Sequence, residues 1–345
     1  SNFVSTVGKF VGLFEEKLKK LTKSKNAIAL VNGTCALHIG LKILGVKKND
    51  EVLIPSLTFV GPTNAAIYCG AKPHFIDSEY ETFGVDALKL KNYLLKNATL
   101  KNGKCINKKT NRTIKALIVV HIFGHPSNMD EIKKVADNFN IPILEDAAEG
   151  IGSFYKKRHV GTIGKIGVIS FNGNKTITTG GGGVILTNDN KIAKIAKHIT
   201  TTAKIPHRWE YNFDEVGYNY RMPNINAALG IAQLENLSKL LLSKRKLFNA
   251  YEKVFEFVDG VSLKKEPKGS KSNYWLQTLV IDKKNKKYRD VLLKITNENN
   301  IMTRPSWRPM HYLNHFKKFP RMDLTVAEDL YSRIINIPSS SNIIR

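Results

Sequence analysis

Cysteine is nearly absent: only Cys35, Cys69 and Cys105 occur in 345 residues, too few for a disulfide framework and without the C-x-x-C spacing of a metal knuckle. No metal site is expected. No apolar run approaches the roughly 20 residues of a membrane helix; the longest, Ala116 to Val120 with its flanks, has the length of a strand. The chain opens Ser1-Asn2-Phe3, with neither an initiating Met nor a signal-peptide pattern, and its expected location is cytoplasmic. Acidic residues are few, 29 against 54 basic ones, for a net charge of +25. Such an excess raises the question of nucleic acid. Yet arginine is scarce, and the lysines come as surface-like doublets (Lys19-Lys20, Lys47-Lys48, Lys108-Lys109) and a run from Lys283 to Lys287, not interleaved with aromatics on one face. A solvated lysine-rich surface is the simpler reading, with attraction of a small anionic substrate left open.

What is present is a full core. Hydrophobic residues make up 42% and charged residues 24%, so the chain is not disordered, and its length predicts about two domains. From Asn26 to Thr187 short β-rich runs alternate with helical stretches, the pattern of a mostly parallel α/β sheet. Strands are predicted at 27–31, 52–54, 74–76, 116–121, 143–145, 167–171 and 183–187, and helices at 34–44, 61–69, 88–94 and 128–139. Residues 101–113 read as a hairpin insertion. One long amphipathic helix starts at Ala227 and carries the chain into a second unit, with a strand at 275–281, a helix at 289–299 and a loop at 264–271. The expected division is a large domain over 1–235 and a smaller α+β domain over 236–345.

In an open parallel sheet, ligands bind at the carboxyl ends of the strands. Asn32-Gly33-Thr34-Cys35-Ala36 stands at one such end, where small residues open a helix. It reads either as a phosphate site or as a plain turn with an N-cap. Glu145-Asp146-Ala147-Ala148-Glu149 ends a buried strand in adjacent carboxylates, which must be paired or useful there; Asp146 alone is equally a helix cap. Ser170-Phe171-Asn172-Gly173-Asn174-Lys175 is followed by Gly180-Gly181-Gly182-Gly183. In so lysine-rich a chain Lys175 alone proves little, but four consecutive glycines are costly and predict a close approach to a ligand. A phosphate cradle, an acid and a lysine are together the parts that hold pyridoxal phosphate.

These segments, with Pro55-Ser56-Leu57-Thr58-Phe59-Val60 and Gly217-Tyr218-Asn219-Tyr220-Arg221-Met222, resemble the DegT/DnrJ/EryC1/StrS sugar aminotransferases from Phe3 to Ser340. Within that family the chain looks most like the LegC-type nucleotide-sugar 4-aminotransferases, through the segment Val4 to Val11, Thr303-Arg304-Pro305 and Met310-His311. The resemblance implies a fold type I (aspartate aminotransferase-like) α/β architecture. It implies Lys175 as the Schiff-base lysine and proton shuttle, Asp146 at the pyridine nitrogen and Phe59 stacked on the ring. Gly33, Thr34, Cys35 (through its backbone N–H) and Ser170 would hold the phosphate, joined by Asn219 of the partner subunit in a homodimer. Glu149 falls where much of the family has Gln beside the ring hydroxyl, so it is expected to be protonated or bridged by water. Arg221 and Arg304 are candidates for the donor carboxylate or nucleotide phosphates, and a structural salt bridge is the competing role for each. His311 is a candidate pocket residue, whereas His121 reads as a satisfied core histidine.

The implied reaction is ping-pong, with pyridoxamine phosphate as the intermediate cofactor form. L-Glutamate leaves as 2-oxoglutarate, and a UDP-2-acetamido-4-keto-2,6-dideoxyhexose is aminated at C4 for a surface glycan. A dTDP- or GDP-linked 3- or 4-keto sugar is the alternative acceptor. The family also implies a further segment ahead of Phe3. Two rivals remain: a sugar dehydratase of the same fold, disfavoured because those enzymes carry His where Lys175 stands, and a nucleic-acid or regulatory binding protein on an inactive scaffold.

Overall fold

The computed structural model describes residues 5, 6 and 8–343. Of the segment Val4 to Val11, Val4 and Val7 lie outside the described residues, as does Phe3. The chain begins with α1 (Lys9–Thr22), whose Val11, Phe14 and Leu18 fall on one face and are fully buried. Sequence reading did not predict this helix.

Seven strands then form one sheet: β1 (Asn26–Leu30), β2 (Glu51–Pro55), β3 (Lys72–Ile76), β4 (Ile114–Val120), β5 (Ile143–Asp146), β6 (Ile166–Ser170) and β7 (Gly183–Thr187). Their spatial order is β1-β7-β6-β5-β4-β2-β3. The pairs from β6 through β5, β4 and β2 to β3 are all parallel, and only β7 runs against its two neighbours. Continuous apolar runs such as Val52-Leu53-Ile54 and Ala116 to Val120 are buried throughout, as expected of strands covered on both faces. The covers are α2 (Gly33–Ile43), α3 (Gly61–Tyr68), α4 (Ala87–Asn97), α5 (Met129–Asn138) and α6 (Asn190–Thr200). The insertion at 101–113 contributes to a hairpin pairing 98–101 with 104–107.

Helix α7 (Asn224–Phe255) lies against α1 at its start and reaches a second sheet at its end. That sheet is antiparallel, with strands β8 (Val261–Leu263), β9 (Gln277–Ile281), β10 (Arg304–Pro305) and β11 (Ile334–Ile337) in the order β8-β9-β11-β10. Helices α8 (Arg289–Glu298) and α9 (Thr325–Arg333) complete this part. Within the predicted loop at 264–271, Ser270-Lys271 pairs with Phe154-Tyr155 of the first part. No helix among the described residues is long and apolar enough to cross a membrane.

Candidate active site

Three strand ends meet in one cavity. After β1 the chain turns at Asn32, whose Oδ1 accepts the Cys35 N–H at 2.7 Å and caps α2. Gly33 and Thr34 ahead of it present N–H groups that a helix leaves without internal partners. The turn is shaped from behind by Gly183: a Cβ there would come within 2.5 Å of the Asn32 carbonyl and 2.7 Å of the Gly33 nitrogen. A Cβ on Gly33 would in turn stand 3.0 Å from the Cβ of Ser170, at the end of β6. The close approach predicted from the glycine run is thus made, at Gly183, to the protein's own backbone. The Cys35 N–H expected to face a phosphate is engaged by the Asn32 cap.

Asp146 ends β5 next door. It is buried, which pushes its carboxyl pKa up; the Ala148 N–H at 3.0 Å and the nearby Lys175 pull the other way without prevailing. Its neighbour Glu145 points to the opposite face and accepts bonds from His121 Nε2 (3.0 Å) and the amides of Gly161 (2.8 Å), Ile163 (2.6 Å) and Gly164 (2.5 Å). Burial raises the Glu145 carboxyl, but these donors more than offset it and hold it below the usual range. His121 Nδ1 accepts the Ser127 N–H at 3.1 Å, which assigns the proton to Nε2. His121 is therefore a core histidine that anchors the strand end behind Asp146.

Lys175 follows the turn at Asn172-Gly173-Asn174. Its Nζ lies 3.3 Å from Glu149 Oε1 and 4.0 Å from the centre of the Trp275 ring. Glu149 Oε2 accepts the Phe123 N–H at 2.8 Å, and burial raises the Glu149 carboxyl to about 7 despite the nearby lysine. Lys175, Asp146 and Glu149 line a cavity of about 320 Å³ with Gly33, Thr34, Ser170, Thr58, Phe59, Trp275 and Trp307. Phe59 is 54% exposed at its mouth, and Thr58 Oγ1 is buried there without a hydrogen-bond partner. A larger groove of about 600 Å³, lined in part by Tyr80, Lys264 and Lys283, lacks this convergence of an amine and buried carboxylates.

Five predicted residues do not line the cavity: Cys35, held in the α2 cap, and four that lie elsewhere. Asn219 is exposed and paired with Thr201 through an isolated bridge. Arg221 sits beside β1, bridging to Leu30, where its charge acts on Glu15. Arg304 donates to Asn297 Oδ1 and the Thr303 carbonyl, both at 2.8 Å. His311 lies between Ser56 Oγ (2.7 Å) and Glu328 Oε1 (2.9 Å), and burial lowers its pKa. Sequence reading missed Thr58, Trp307 and above all Trp275. The one available hint was scarcity: the chain has three tryptophans, and two of them, Trp275 and Trp307, line this cavity. Among the described residues, His198, Asp214 and Glu215 also converge, but they are partly or fully exposed, and His198 and Asp214 satisfy each other at 2.6 Å.

The model of the DegT/DnrJ/EryC1/StrS aminotransferase family matches residues 1–345. A GDP-perosamine synthase of Escherichia coli is 37% identical over 343 residues, 98% of this chain and 87% of its own length. A UDP-4-amino-4,6-dideoxy-N-acetyl-beta-L-altrosamine transaminase of Campylobacter jejuni is 31% identical over 337 residues, 97% of this chain and 86% of its own. The crystal structure of a DegT DnrJ EryC1 StrS aminotransferase from Brucella abortus superposes with a TM-score of 0.89 at 25% identity, covering 100% of this chain and 88% of that one.

Proposed function

Because this chain belongs to the DegT/DnrJ/EryC1/StrS aminotransferase family and is a pyridoxal-phosphate-dependent sugar aminotransferase, we propose that it passes an amino group from L-glutamate to C4 of a nucleotide-linked 4-keto-6-deoxy sugar. The observation that carries this reading is the meeting of Lys175, Asp146 and the start of α2 in one cavity. The donor set suits the cofactor. Gly33, Thr34 and Ser170 form a phosphate cradle that a Cβ on Gly33 would crowd, and the unpartnered Thr58 hydroxyl lies beside it. Phe59 offers a ring face at the mouth.

Bound there, pyridoxal phosphate supplies a carbonyl that carries the amino group and a ring that accepts the electron pair released at carbon. Asp146 is assigned to its ring nitrogen: a carboxylate raised by burial gains from a cation, so a protonated pyridine restores the charged form. Lys175 brings an amine to the same cavity and is assigned the proton transfers at Nζ in both half-reactions. Glu149, poised near neutrality, is assigned the role of sharing a proton with Lys175 and neutralising its charge. Glu145 and His121 keep β5 in register behind Asp146.

A homodimer belongs to the same proposal, with Asn219 of the partner subunit reaching the phosphate; the outward position of Asn219 on its own chain agrees with that. Cys35, Arg221, Arg304 and His311 keep their expected places in the proposal, Cys35 only if the Asn32 cap yields its N–H. The C4 position is supported by the Campylobacter relative, whose name carries a 4-amino-4,6-dideoxy sugar. The nucleotide is UDP in the reading from sequence. The GDP-linked relative is the more similar, 37% against 31% identical, and favours a GDP-linked acceptor as a second reading.

The test is incubation of cofactor-loaded protein with isotope-labelled glutamate and UDP-, GDP- and dTDP-linked keto sugars. Label should appear at C4 of one 4-keto product. Production of 2-oxoglutarate without labelling of any 4-keto sugar would remove the acceptor assignment.

A further inference from the structure

The indole of Trp275 lies over the Lys175 amine although the two residues belong to different sheets' surroundings. We propose that Trp275 is a positioning residue that holds this amine beside Glu149 whenever the amine is free, an inference that rests on Lys175 being the cofactor lysine. The ring centre is 4.0 Å from Nζ, with the Glu149 oxygen at 3.3 Å, so the ammonium lies against a negative ring face and a carboxyl group. The indole N–H also donates to the carbonyl of Asn174 at 2.8 Å. One side chain therefore fixes both ends of Lys175: the peptide group that precedes it and the charged tip.

Trp275 is itself held from three sides. Its N–H donates to Asn273 Oδ1 at 2.9 Å, and Asn273 Nδ2 donates to the carbonyls of Glu149 (2.7 Å) and Ile151 (2.9 Å). Trp275 and the Glu149 segment thus hang from the same amide side chain. Lys244, buried in α7 and lowered to about 8 by that burial, donates to the Trp275 carbonyl at 3.0 Å and to that of Ser339 at 2.8 Å. Trp307 lies near-parallel, 6.4 Å away at 15°. The backbone tethers fix where residue 275 stands; the bond to Asn174 and the ring face over Nζ are made by the indole alone. A free lysine tip has many rotamers, and fixing it before proton transfer removes a misplacement that is costly in rate.

Two measurements on cofactor-free protein test this without catalysis. After reductive methylation with carbon-labelled formaldehyde, the N-methyl resonance of Lys175, assigned by its loss in Lys175→Ala, should lie upfield of the lysines that face no aromatic ring. A resonance within the common envelope overturns the proposal and needs no Trp275 variant. Peptide mass spectrometry should show Lys175 methylated about tenfold faster in Trp275→Leu than in the parent protein, with Trp275→Phe within about twofold because a ring face remains. Equal rates in the parent and Trp275→Leu overturn it.

On the loaded enzyme, Trp275→Leu should lower kcat of the glutamate half-reaction about tenfold or more with KM within about twofold, as expected when geometry rather than binding is lost. A rise in KM with kcat unchanged would assign Trp275 to substrate binding and refute positioning. If the parent protein takes up no cofactor at Lys175, the functional reading fails, and the resonance and methylation rates still decide the contact.

Discussion

Replacing Glu149 by Gln should make the cofactor-free protein progressively more stable than its parent as pH rises. The Glu149 carboxyl is moved from its ordinary 4.5 to about 7, first by burial, with Asp146 adding to the rise and Lys175 and the Phe123 N–H opposing it. The folded state then holds a proton that the unfolded chain has released, so the parent loses stability as pH climbs through this window. Each pH unit of displacement is worth about 1.4 kcal/mol, so the whole displacement amounts to roughly 3.5 kcal/mol, with about 2.5 kcal/mol of it falling between pH 5 and 8. Glutamine is neutral throughout and keeps an oxygen for the Phe123 N–H. Its own fixed gain or loss shifts the two curves by a constant. The difference in melting temperature, Glu149→Gln minus parent, should therefore grow by about 4 °C from pH 5 to pH 8 in thermal unfolding followed by circular dichroism. Parallel curves across that range would refute a raised Glu149 carboxyl, and with it the assignment of Glu149 as a proton-sharing partner of Lys175.

Lys175→Ala should abolish the visible absorbance band of the cofactor-loaded protein and cut transamination by about 10⁴-fold or more; retention of the band would move the cofactor lysine elsewhere. Asp146→Asn should leave folding intact and lower kcat by roughly 10²–10³-fold, since a neutral amide cannot stabilise charge at the ring nitrogen, and steady-state kinetics would detect it. Gly183→Ala should cost about 2 kcal/mol or more in denaturant unfolding, because the methyl meets the Asn32–Gly33 backbone at 2.5–2.7 Å. The same variant should weaken cofactor binding by tilting Gly33; unchanged affinity in equilibrium dialysis would separate the turn from the phosphate.

Much of the first sheet was legible because parallel strands buried on both faces write unbroken apolar runs, as at 52–54 and 116–120. The candidate site was legible where chemistry is local: Asn32 to Thr34, Asp146 and Lys175 each lie at a strand end beside small or polar residues. Helix α1 was overlooked because its apolar residues are spaced among lysines and show their face only against α7 and β1. The second sheet was read in fragments, since β10 has two residues and gains its meaning from β11. Trp275 escaped because it meets Lys175 across a hundred residues of chain, a distance over which no periodicity speaks. The glycine run announced tight packing, and only the fold reveals that Asn32 is what Gly183 makes room for.

Helix α7 is 32 residues long, about 48 Å from end to end, and its turns are continuous through the expected division at 235–236. Near its start Gly230 packs against the Phe14 ring, and about two-thirds of the way along Arg245 is bonded to Glu266 at 2.7 and 2.8 Å. An unbroken rod fastened to both parts of the chain makes a stiff axle and a poor pivot. Any chimera that exchanges the C-terminal part must therefore splice outside this helix or carry all of it.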